Sequence, residues 1–259
     1  MTSTKRFLLM AAVLLLASFA MAGTITTYSG QDDGAGISGP WPNSAAAQTA
    51  FLAAAGLLSP VGTIDFENQP LGYSANFTAA PGVSVALTGP NYGDGYSGIS
   101  TTTFGNVYGF NTTPGGAKWL GFATGTATFT FASPTEYFGF WITGVQTVFT
   151  SRFTLDINGA DAQTFNIPIN VNGGAQYFGI TDVGGSFTTA TITNISNDAW
   201  GIDDVSYNSA VPEPSSLILL GSGILGLAGV VRRKFILYPP LPHCGTHRPE
   251  PQLRPFSVR

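Results

Sequence analysis

The sequence has few charged residues, one cysteine and two histidines, and these shortages limit the kinds of catalytic site, metal site and disulfide that it can form. Charged residues make up 9% of the chain, about a third of the share usual in globular proteins. Between Gly23 and Ala210 there is neither histidine nor cysteine. This excludes serine–histidine and cysteine–histidine catalysis, histidine-based zinc sites and disulfides from that stretch.

Basic residues are nearly absent from the same stretch, where Lys118 and Arg152 stand against twelve acidic residues for a net charge of −10. Such a surface repels phosphate backbones, so no nucleic-acid partner is expected, whereas cation binding is compatible with it. Hydrophobic residues make up 44% of the chain and include 19 phenylalanines, which is enough apolar material for a packed core.

The N-terminus has the three parts of a secretory signal peptide. Lys5 and Arg6 precede an uncharged apolar run, and Ala20-Met21-Ala22 fits the small-x-small cleavage rule. The sequence therefore predicts a signal peptide over residues 1–22, removed after Ala22 by signal peptidase. The mature chain would then begin at Gly23, outside the cytoplasm.

A second uncharged run, Ser215–Val231, lies near the C-terminus and is followed at once by three basic residues. Its 17 residues reach the lower limit for a helix that spans a bilayer, and the basic flank is typical of a cytoplasmic boundary. The residues themselves predict a membrane anchor.

The segment 211–235 also resembles the PEP-CTERM sorting signal of Gram-negative bacteria that make exopolysaccharide. The order of its parts carries the resemblance: a Pro-Glu-Pro motif, an apolar helix and a basic cluster. These parts contain Val211, Pro212, Glu213, Pro214, Arg232, Arg233 and Lys234. The resemblance implies cleavage near the motif by exosortase, a membrane protease, after transient anchoring in the inner membrane. The protein would then reach the outer surface or the extracellular matrix.

Residues 236–259 continue past the point where such signals normally stop. They are rich in proline and arginine, have no periodicity and are expected to be disordered. His243, Cys244 and His247 lie in this tail and are not expected to form a metal site.

Residues 23–62 are interpreted as a leader made of a loop and one short helix. The stretch that begins at Thr26 is rich in Gly, Pro and Asp, which is typical of a loop. The alanine-rich stretch after it predicts a helix capped by Asn43 or Ser44, with Gly56 just past its end. This segment resembles leaders found before the β-domain in some PEP-CTERM proteins.

Residues 63–210 carry the pattern of β-structure. Short runs alternate apolar and polar residues, as in Phe138, Phe140 and Ile142, and are separated by Gly, Asn and Pro. Asn158-Gly159 is a hairpin signal. The fold class predicted is all-β: an antiparallel, jelly-roll-like β-sandwich of nine or ten strands, with a short N-terminal helix and a C-terminal hydrophobic helix.

Two pairs of acidic residues stand out in this β-region. Asp65 and Glu67 lie two residues apart, on one face of the first strand, and Asp203 and Asp204 interrupt the apolar last strand. Buried adjacent carboxylates need neutralisation, and Ca²⁺ with its oxygen ligands is the natural partner. Because the first and last strands of jelly rolls are commonly neighbours, the sequence predicts a structural Ca²⁺ site there, with solvated strand ends as the alternative. The two motifs resemble MAM domains and calcium-bearing carbohydrate-binding modules, in which such acids support a structural cation.

A Gly- and Tyr-rich segment, residues 89–100, is a weaker candidate for sugar binding. Its tyrosines can stack on sugar rings while its polar side chains bond hydroxyl groups. The residues concerned are Asn91, Tyr92, Asp94 and Tyr96. The alternative is a turn-rich connection whose tyrosines pack on the sheet, and the tryptophans are expected to be core residues.

These observations favour a secreted, exosortase-processed surface or matrix protein that is not an enzyme and associates with exopolysaccharide. One alternative is a calcium-dependent, lectin-like carbohydrate-binding module. A second is a glycoside hydrolase that uses a pair of carboxylates.

Overall fold

The computed structural model describes residues 23–89, 97–101, 103–196 and 198–209. In these ranges the chain forms one helix, α1 (Pro42–Leu58), and antiparallel strands. The strands are β1 (Thr24–Asp33), β2 (Val61–Ile64), β3 (Asn76–Ala80), β4 (Val83–Thr88), β5 (Gly98–Ser100), β6 (Trp119–Phe122), β7 (Gly125–Thr135), β8 (Tyr137–Thr143), β9 (Thr150–Ile157), β10 (Gln163–Asn166), β11 (Gly174–Val183), β12 (Phe187–Ser196) and β13 (Trp200–Asn208).

The strands form two sheets, which confirms the predicted antiparallel β-sandwich. One sheet has the order β1-β11-β8-β13-β6-β5, with β2 also paired to β13, and the other has the order β10-β9-β12-β7-β4-β3. From Val61 onward the described chain has twelve strands instead of nine or ten. The difference comes from strands of three or four residues such as β5 and β6, which are too short for an alternating pattern to show.

The main core lies between the two sheets and is built by the alternation seen in the sequence. On β8, Phe138, Phe140 and Ile142 are each 0% exposed and belong to this core. Trp200 closes it against Phe153, with ring centroids 4.8 Å apart. Burial of apolar surface on this scale is the main force that holds the sheets together.

A second, smaller core lies under helix α1, on the outer face of the first sheet. Along β8 and β11, the residues that alternate with main-core residues are also buried there. They include Tyr137, Trp141 and Tyr177. Phe51 of the helix is 0% exposed and contacts the rings of Tyr137 and Tyr177 at centroid distances of 5.9 and 5.7 Å. The helix therefore covers the outer face of β8 and β11, so that both strands are buried on both faces.

Two glycines make room for the Phe51 ring. Gly139 of β8 and Gly179 of β11 are register partners. A methyl group at Gly139 would lie 2.9 Å from the ring, and one at Gly179 would lie 2.7 Å from it. Such distances are too short for van der Waals contact, so glycine at both positions allows the helix to approach the sheet closely.

The segment before the β-region differs from the prediction in two respects. The loop predicted from Thr26 onward is wrong, because Thr24–Asp33 form β1 and pair along their whole length with β11. The predicted caps are also wrong, since the helix begins at Pro42 and the side chain of Asp32 accepts hydrogen bonds from the amides of Asn43 and Ser44 at 3.1 and 2.8 Å. Gly56 lies inside the helix, which ends at Leu58.

The described residues 23–209 belong to one compact unit. The buried members of both cores lie between Phe51 and Tyr207. The stretch 23–209, called the domain below, thus contains the buried members of both cores, as expected of a unit that folds on its own.

Candidate cation site

Strands β2 and β13 bring the two predicted acidic pairs together. Ile64, the last residue of β2, pairs with Val205 of β13. Asp65, which follows Ile64, and Asp204, which precedes Val205, therefore come to lie opposite one another. The expectation that the first and last strands of the β-region are neighbours is confirmed. The structure corrects one detail, since Asp65 and Glu67 lie in the turn after β2 and not on the strand itself.

Backbone distortion accompanies the acids on both sides of the site. The described non-glycine residues with positive φ are Phe66, at 57°, and Asp204, at 44°. The pairing of β13 with β8 also shifts register between Asp203 and Ser206, as in a β-bulge. A left-handed conformation at a non-glycine residue costs about 1–3 kcal/mol and tends to occur at functional sites. Here it directs two consecutive carboxylates toward one loop.

That loop, residues 111–118, is called the capping loop. Its residues Thr112 and Thr113 donate their backbone amides to Oδ2 of Asp203 at 2.6 and 3.2 Å, and their hydroxyl groups reach the same oxygen at 3.1 and 3.4 Å. Asp203 Oδ1 accepts the amide of Asp204 at 2.9 Å. Asp203 is 0% exposed, so its carboxylate is surrounded by donors of the protein itself.

The same loop also holds the other carboxylates. The Thr113 hydroxyl donates to Oδ1 of Asp204 at 2.7 Å. The amides of Ala117 and Lys118 each donate to Oε1 of Glu67 at 2.7 Å, and Lys118 Nζ donates to the backbone carbonyl of Glu67 at 2.7 Å. The lysine ammonium therefore lies beside the cluster but is bound to a carbonyl group and not to a carboxylate.

Burial and mutual repulsion disfavour the charged forms of the two central acids. Burial raises the pKa of Asp203 to about 7, and the charge of Asp204 raises it as well, against the amide hydrogen bonds, which lower it. Burial also raises the pKa of Asp204, with further repulsion from Asp65 and Glu67. An added positive charge would relieve this repulsion.

One acceptor in the site has no partner. Oδ1 of Asn111 is buried without a hydrogen-bond donor. A methyl group at Gly116 would lie 3.0 Å from this oxygen and would collide with Oε1 of Glu67, so both oxygens face the small space above Gly116. In the described ranges no three acidic, histidine or cysteine side chains are close enough to chelate a metal by themselves. Any cation here must therefore use amide and carbonyl oxygens in addition to carboxylates.

Sequence reasoning did not identify the capping loop as part of the site. The loop acts through backbone amides, which every residue except proline carries, so no residue type marks it. The available signal was the Asn-Thr-Thr-Pro-Gly-Gly run beginning at Asn111, which is typical of a turn that can present amides to an anion.

Several predicted features lie outside the described residues. These are the signal peptide, the sugar-binding candidates Asn91, Tyr92, Asp94 and Tyr96, the sorting signal from Val211 to Lys234 and the tail. Within the described part, no helix has the length and apolarity needed to cross a membrane. Trp119, Trp141 and Trp200 are buried, which confirms them as core residues.

Comparison with known families confirms the sorting signal. Residues 210–234 match the PEP-CTERM protein-sorting motif. The chain thus carries the signal of an exported protein that exosortase processes and that reaches the cell surface. No curated protein matches the chain.

Two solved structures have a remote likeness to the chain. The K2 cleaved adhesin domain of Lys-gingipain is 14% identical with a TM-score of 0.36, over 58% of this chain and 100% of that one. The enzymatically active domain of tailspike protein 4 from bacteriophage CBA120 is 16% identical with a TM-score of 0.29, over 49% of this chain and 19% of that one. Likenesses at these scores carry no argument about function.

Proposed function

We propose that this chain, which carries a PEP-CTERM sorting motif, is a non-enzymatic protein of the outer surface or extracellular matrix that associates with exopolysaccharide. The sorting motif supports the location. The observation that supports the association is a hydroxyl-rich surface on the second sheet.

This surface, called the hydroxyl face, is the outer side of strands β4, β7 and β12. Its side chains are exposed or half-buried and alternate with core residues along each strand. They lie in rows across the strands, because Ser84 pairs with Thr130, which pairs with Thr189, and Thr88 pairs with Thr126, which pairs with Thr193. The members are Ser84, Thr88, Thr126, Thr128, Thr130, Thr189, Thr191 and Thr193.

Hydroxyl groups in rows suit an extended polysaccharide. Each hydroxyl can donate and accept, as the hydroxyl groups of a sugar do, and neighbouring strands repeat the pattern every ~4.8 Å. Some of these groups bond one another, as Thr128 and Thr191 do at 3.1 Å. A shallow depression of about 350 Å³ lies at the same surface and is lined by Ser84 and Thr130 among others. Weak contacts repeated along a polymer add up to useful affinity.

The placement of the buried carboxylates supports a role without catalysis. A glycosidase needs two carboxyl groups that face the scissile bond across a cleft. Here Asp32, Asp198 and Asp203 accept hydrogen bonds from backbone amides inside the domain. Asp32 thereby holds the start of helix α1, and the other two hold loops. Unchanged chain length of polysaccharides incubated with the domain would agree with this assignment, and shortened chains would favour the hydrolase.

Replacing Thr128, Thr130 and Thr191 together by valine is expected to weaken polysaccharide binding by about 10- to 100-fold, because each lost hydrogen bond is worth about 0.5–1 kcal/mol. Valine keeps the shape and the strand preference of threonine. Because the domain is acidic, the probes are neutral polymers, dextran and a soluble β-glucan, in affinity electrophoresis. A lectin-like module would instead bind one short oligosaccharide on a glycan array.

The matched control is the triple valine variant of Thr24, Thr26 and Thr27, which are exposed threonines of β1 on the other sheet. It should bind as the parent does. Equal binding by both variants would contradict the hydroxyl face, and absence of binding by the parent would remove the association with neutral polysaccharide.

A structural Ca²⁺ beside the capping loop is part of the same proposal. The donors would be carboxylate oxygens of Asp204 and Glu67 with Asn111 Oδ1, an oxygen-only set that suits Ca²⁺. The raised pKa of Asp204 and the partnerless Asn111 oxygen support a missing positive charge there. Asp203 would act beneath them by holding the capping loop through its amides. The ion would supply positive charge and rigidity, with no catalytic step.

Lowering the pH from 8 to 5 is expected to raise the melting temperature of the calcium-free domain by about 5 °C or more. Burial raises the pKa of Asp203 to about 7 and that of Asp198 to about 6, whereas an unfolded Asp titrates near ~3.9. A carboxyl group whose pKa is higher in the folded than in the unfolded protein stabilises the fold fully at pH values below its unfolded-state pKa. This contribution is lost as the pH rises through its folded-state pKa. Thermal melts in chelator between pH 5 and pH 8 measure the trend, and a melting temperature that rises with pH contradicts it.

A further inference from the structure

A second acidic cluster lies away from the capping loop, where three turns meet. Asp182 lies near the end of β11, Asp161 in the turn between β9 and β10, and Glu136 between β7 and β8. The side chain of Asp182 is 0% exposed, and both its carboxylate oxygens are buried without a hydrogen-bond partner. Burial raises the pKa of Asp182, and the charges of Asp161 and Glu136 raise it as well.

Asp182 differs in this respect from the other buried aspartates. Asp32, Asp198 and Asp203 each accept a backbone amide hydrogen bond within the domain. Burying a carboxylate without hydrogen-bond donors costs free energy. Asp182 therefore needs a partner, and the side chains around it do not supply one.

The group that the cluster faces is the backbone of Gly23. Its nitrogen donates to Oδ2 of Asp161 at 2.9 Å. A methyl group on Gly23 would collide with Oδ1 of Asp182 and lie 2.8 Å from Oδ2 of Asp161. In the register of β1 and β11, Ile25 pairs with Asp182, and Gly23 lies two residues before Ile25. Both carboxylates therefore lie beside the first residue before β1.

The described side chains offer no cation to this cluster. The basic residues in the described ranges are Lys118, whose ammonium donates to the carbonyls of Glu67 and Gln69, and Arg152, an exposed residue of β9. The described acids are not grouped closely enough to chelate a metal ion by themselves. An ammonium group needs only two or three acceptors, which is fewer than the oxygen ligands that a metal ion such as Ca²⁺ needs.

We propose that this cluster is the receptor for the mature N-terminus, and that the α-ammonium of Gly23 pairs with Asp182 and Asp161. The proposal rests on the cut predicted after Ala22. Hydrolysis of the Ala22–Gly23 bond consumes one water molecule and leaves a carboxylate on Ala22 and an ammonium on Gly23. The nitrogen then has three donors and a positive charge in place of one neutral N–H, and its hydrogen bonds become charge-assisted.

Processing and stability are coupled as a result. In the precursor the Asp182 carboxylate remains buried and unpaired, whereas in the processed chain it has a counter-ion. The mature domain is therefore more stable than the same domain with its leader attached. Gly23 is required at this position because any Cβ would enter the space of the two carboxylates.

The test compares two forms of the domain, one that begins with the free amine of Gly23 and one that retains Ala22. At pH 6.5 the Gly23 form is expected to melt about 5–10 °C higher. A free α-amine titrates near ~7.7–8.0, and pairing raises that value in the folded state. The difference is therefore expected at pH 6.5, where the amine is charged. It is lost as the pH rises through the raised pKa of the amine, which NMR measures directly, and it declines at low pH as Asp182 becomes protonated.

Asp182→Asn is the matched control, because it removes the buried charge without changing the shape of the side chain. In this background the two forms should melt within about 1–2 °C of each other. The Ala22-containing form should be no less stable than its Asp182 parent. Equal melting temperatures of the two parent forms at pH 6.5, or a difference that persists in Asp182→Asn, would overturn the proposal.

Two further outcomes also count against it. Stabilisation of the Ala22-containing form by Ca²⁺, if Asp182→Asn removes it, would show that a metal ion is the occupant. Intact mass of the protein exported by cells would overturn the proposal if the mature chain did not begin at Gly23.

Discussion

Replacing Phe51 by alanine is expected to lower the free energy of unfolding of the domain by about 3–5 kcal/mol. The ring is 0% exposed and fills the space between helix α1 and the paired glycines Gly139 and Gly179. It makes the central contact of the smaller core, where it meets the rings of Tyr28, Tyr137 and Tyr177. Because Gly139 and Gly179 lack side chains, neither of them can fill the cavity that the ring would leave.

Urea unfolding measures the change, with intrinsic fluorescence reporting on the four tryptophans of the domain, of which Trp141 packs in the same cluster. The matched control is Leu57→Ala, since Leu57 lies on the same helix but is 87% exposed. That change should stay within about 0.5 kcal/mol of the parent. A loss below 1 kcal/mol for Phe51→Ala would mean that the helix contributes little to the fold.

The β-sandwich could be predicted because its strands alternate with period two. On β7, the inward residues Ala127, Phe129 and Phe131 separate threonines, and one face of such a strand must be buried. Strand β1 could not be predicted, because its Thr-, Ser- and Gly-rich sequence has no apolar face. Its ten-residue pairing with β11 arises only in the folded chain.

The sequence predicts helix α1 but not which strands it covers. Tyr137 and Trp141 alternate with the main-core residues of β8, and alternation alone assigns them to solvent. What buries them is a helix more than seventy residues earlier in the chain, and a local pattern carries no information about such contacts. The continuous apolar run from Tyr137 to Ile142 was the signal, because it is typical of a strand covered on both faces.

The meeting of the acidic pairs could be predicted from strand adjacency, whereas their hydrogen-bond donors could not. Asp203 is held by amides of Thr112 and Thr113, and the amide of Thr112 lies ninety-one residues away in sequence. The cluster around Asp182 was invisible for the same reason. Its significance depends on Gly23, which only the pairing of β1 with β11 brings near.

Adding Ca²⁺ to the domain is expected to stabilise it by roughly 2.7 kcal/mol when the free ion is ~100 times its dissociation constant. The unfolded chain has no preformed site, so the ion binds only the native state. For a domain of this size that corresponds to a rise in melting temperature of about 5–10 °C. The ion also favours the charged forms of Asp203 and Asp204, so it should flatten the loss of stability between pH 5 and pH 8.

Asp204→Asn is the variant that tests this site, because asparagine tolerates the positive φ of residue 204 better than alanine does. The variant should lose the response to Ca²⁺. Without calcium it should be as stable as the parent or more stable, since one of the mutually repelling charges is gone.

Asp156→Asn on the second sheet serves as the control and should keep the full response to Ca²⁺. A parent domain whose melting temperature ignores both Ca²⁺ and chelator would exclude the ion. The carboxylates beside the capping loop would then be held by its amides and hydroxyl groups alone, at the raised pKa that burial gives Asp203. In that case Asp204→Asn would still stabilise the domain, because the relief of repulsion does not depend on a cation.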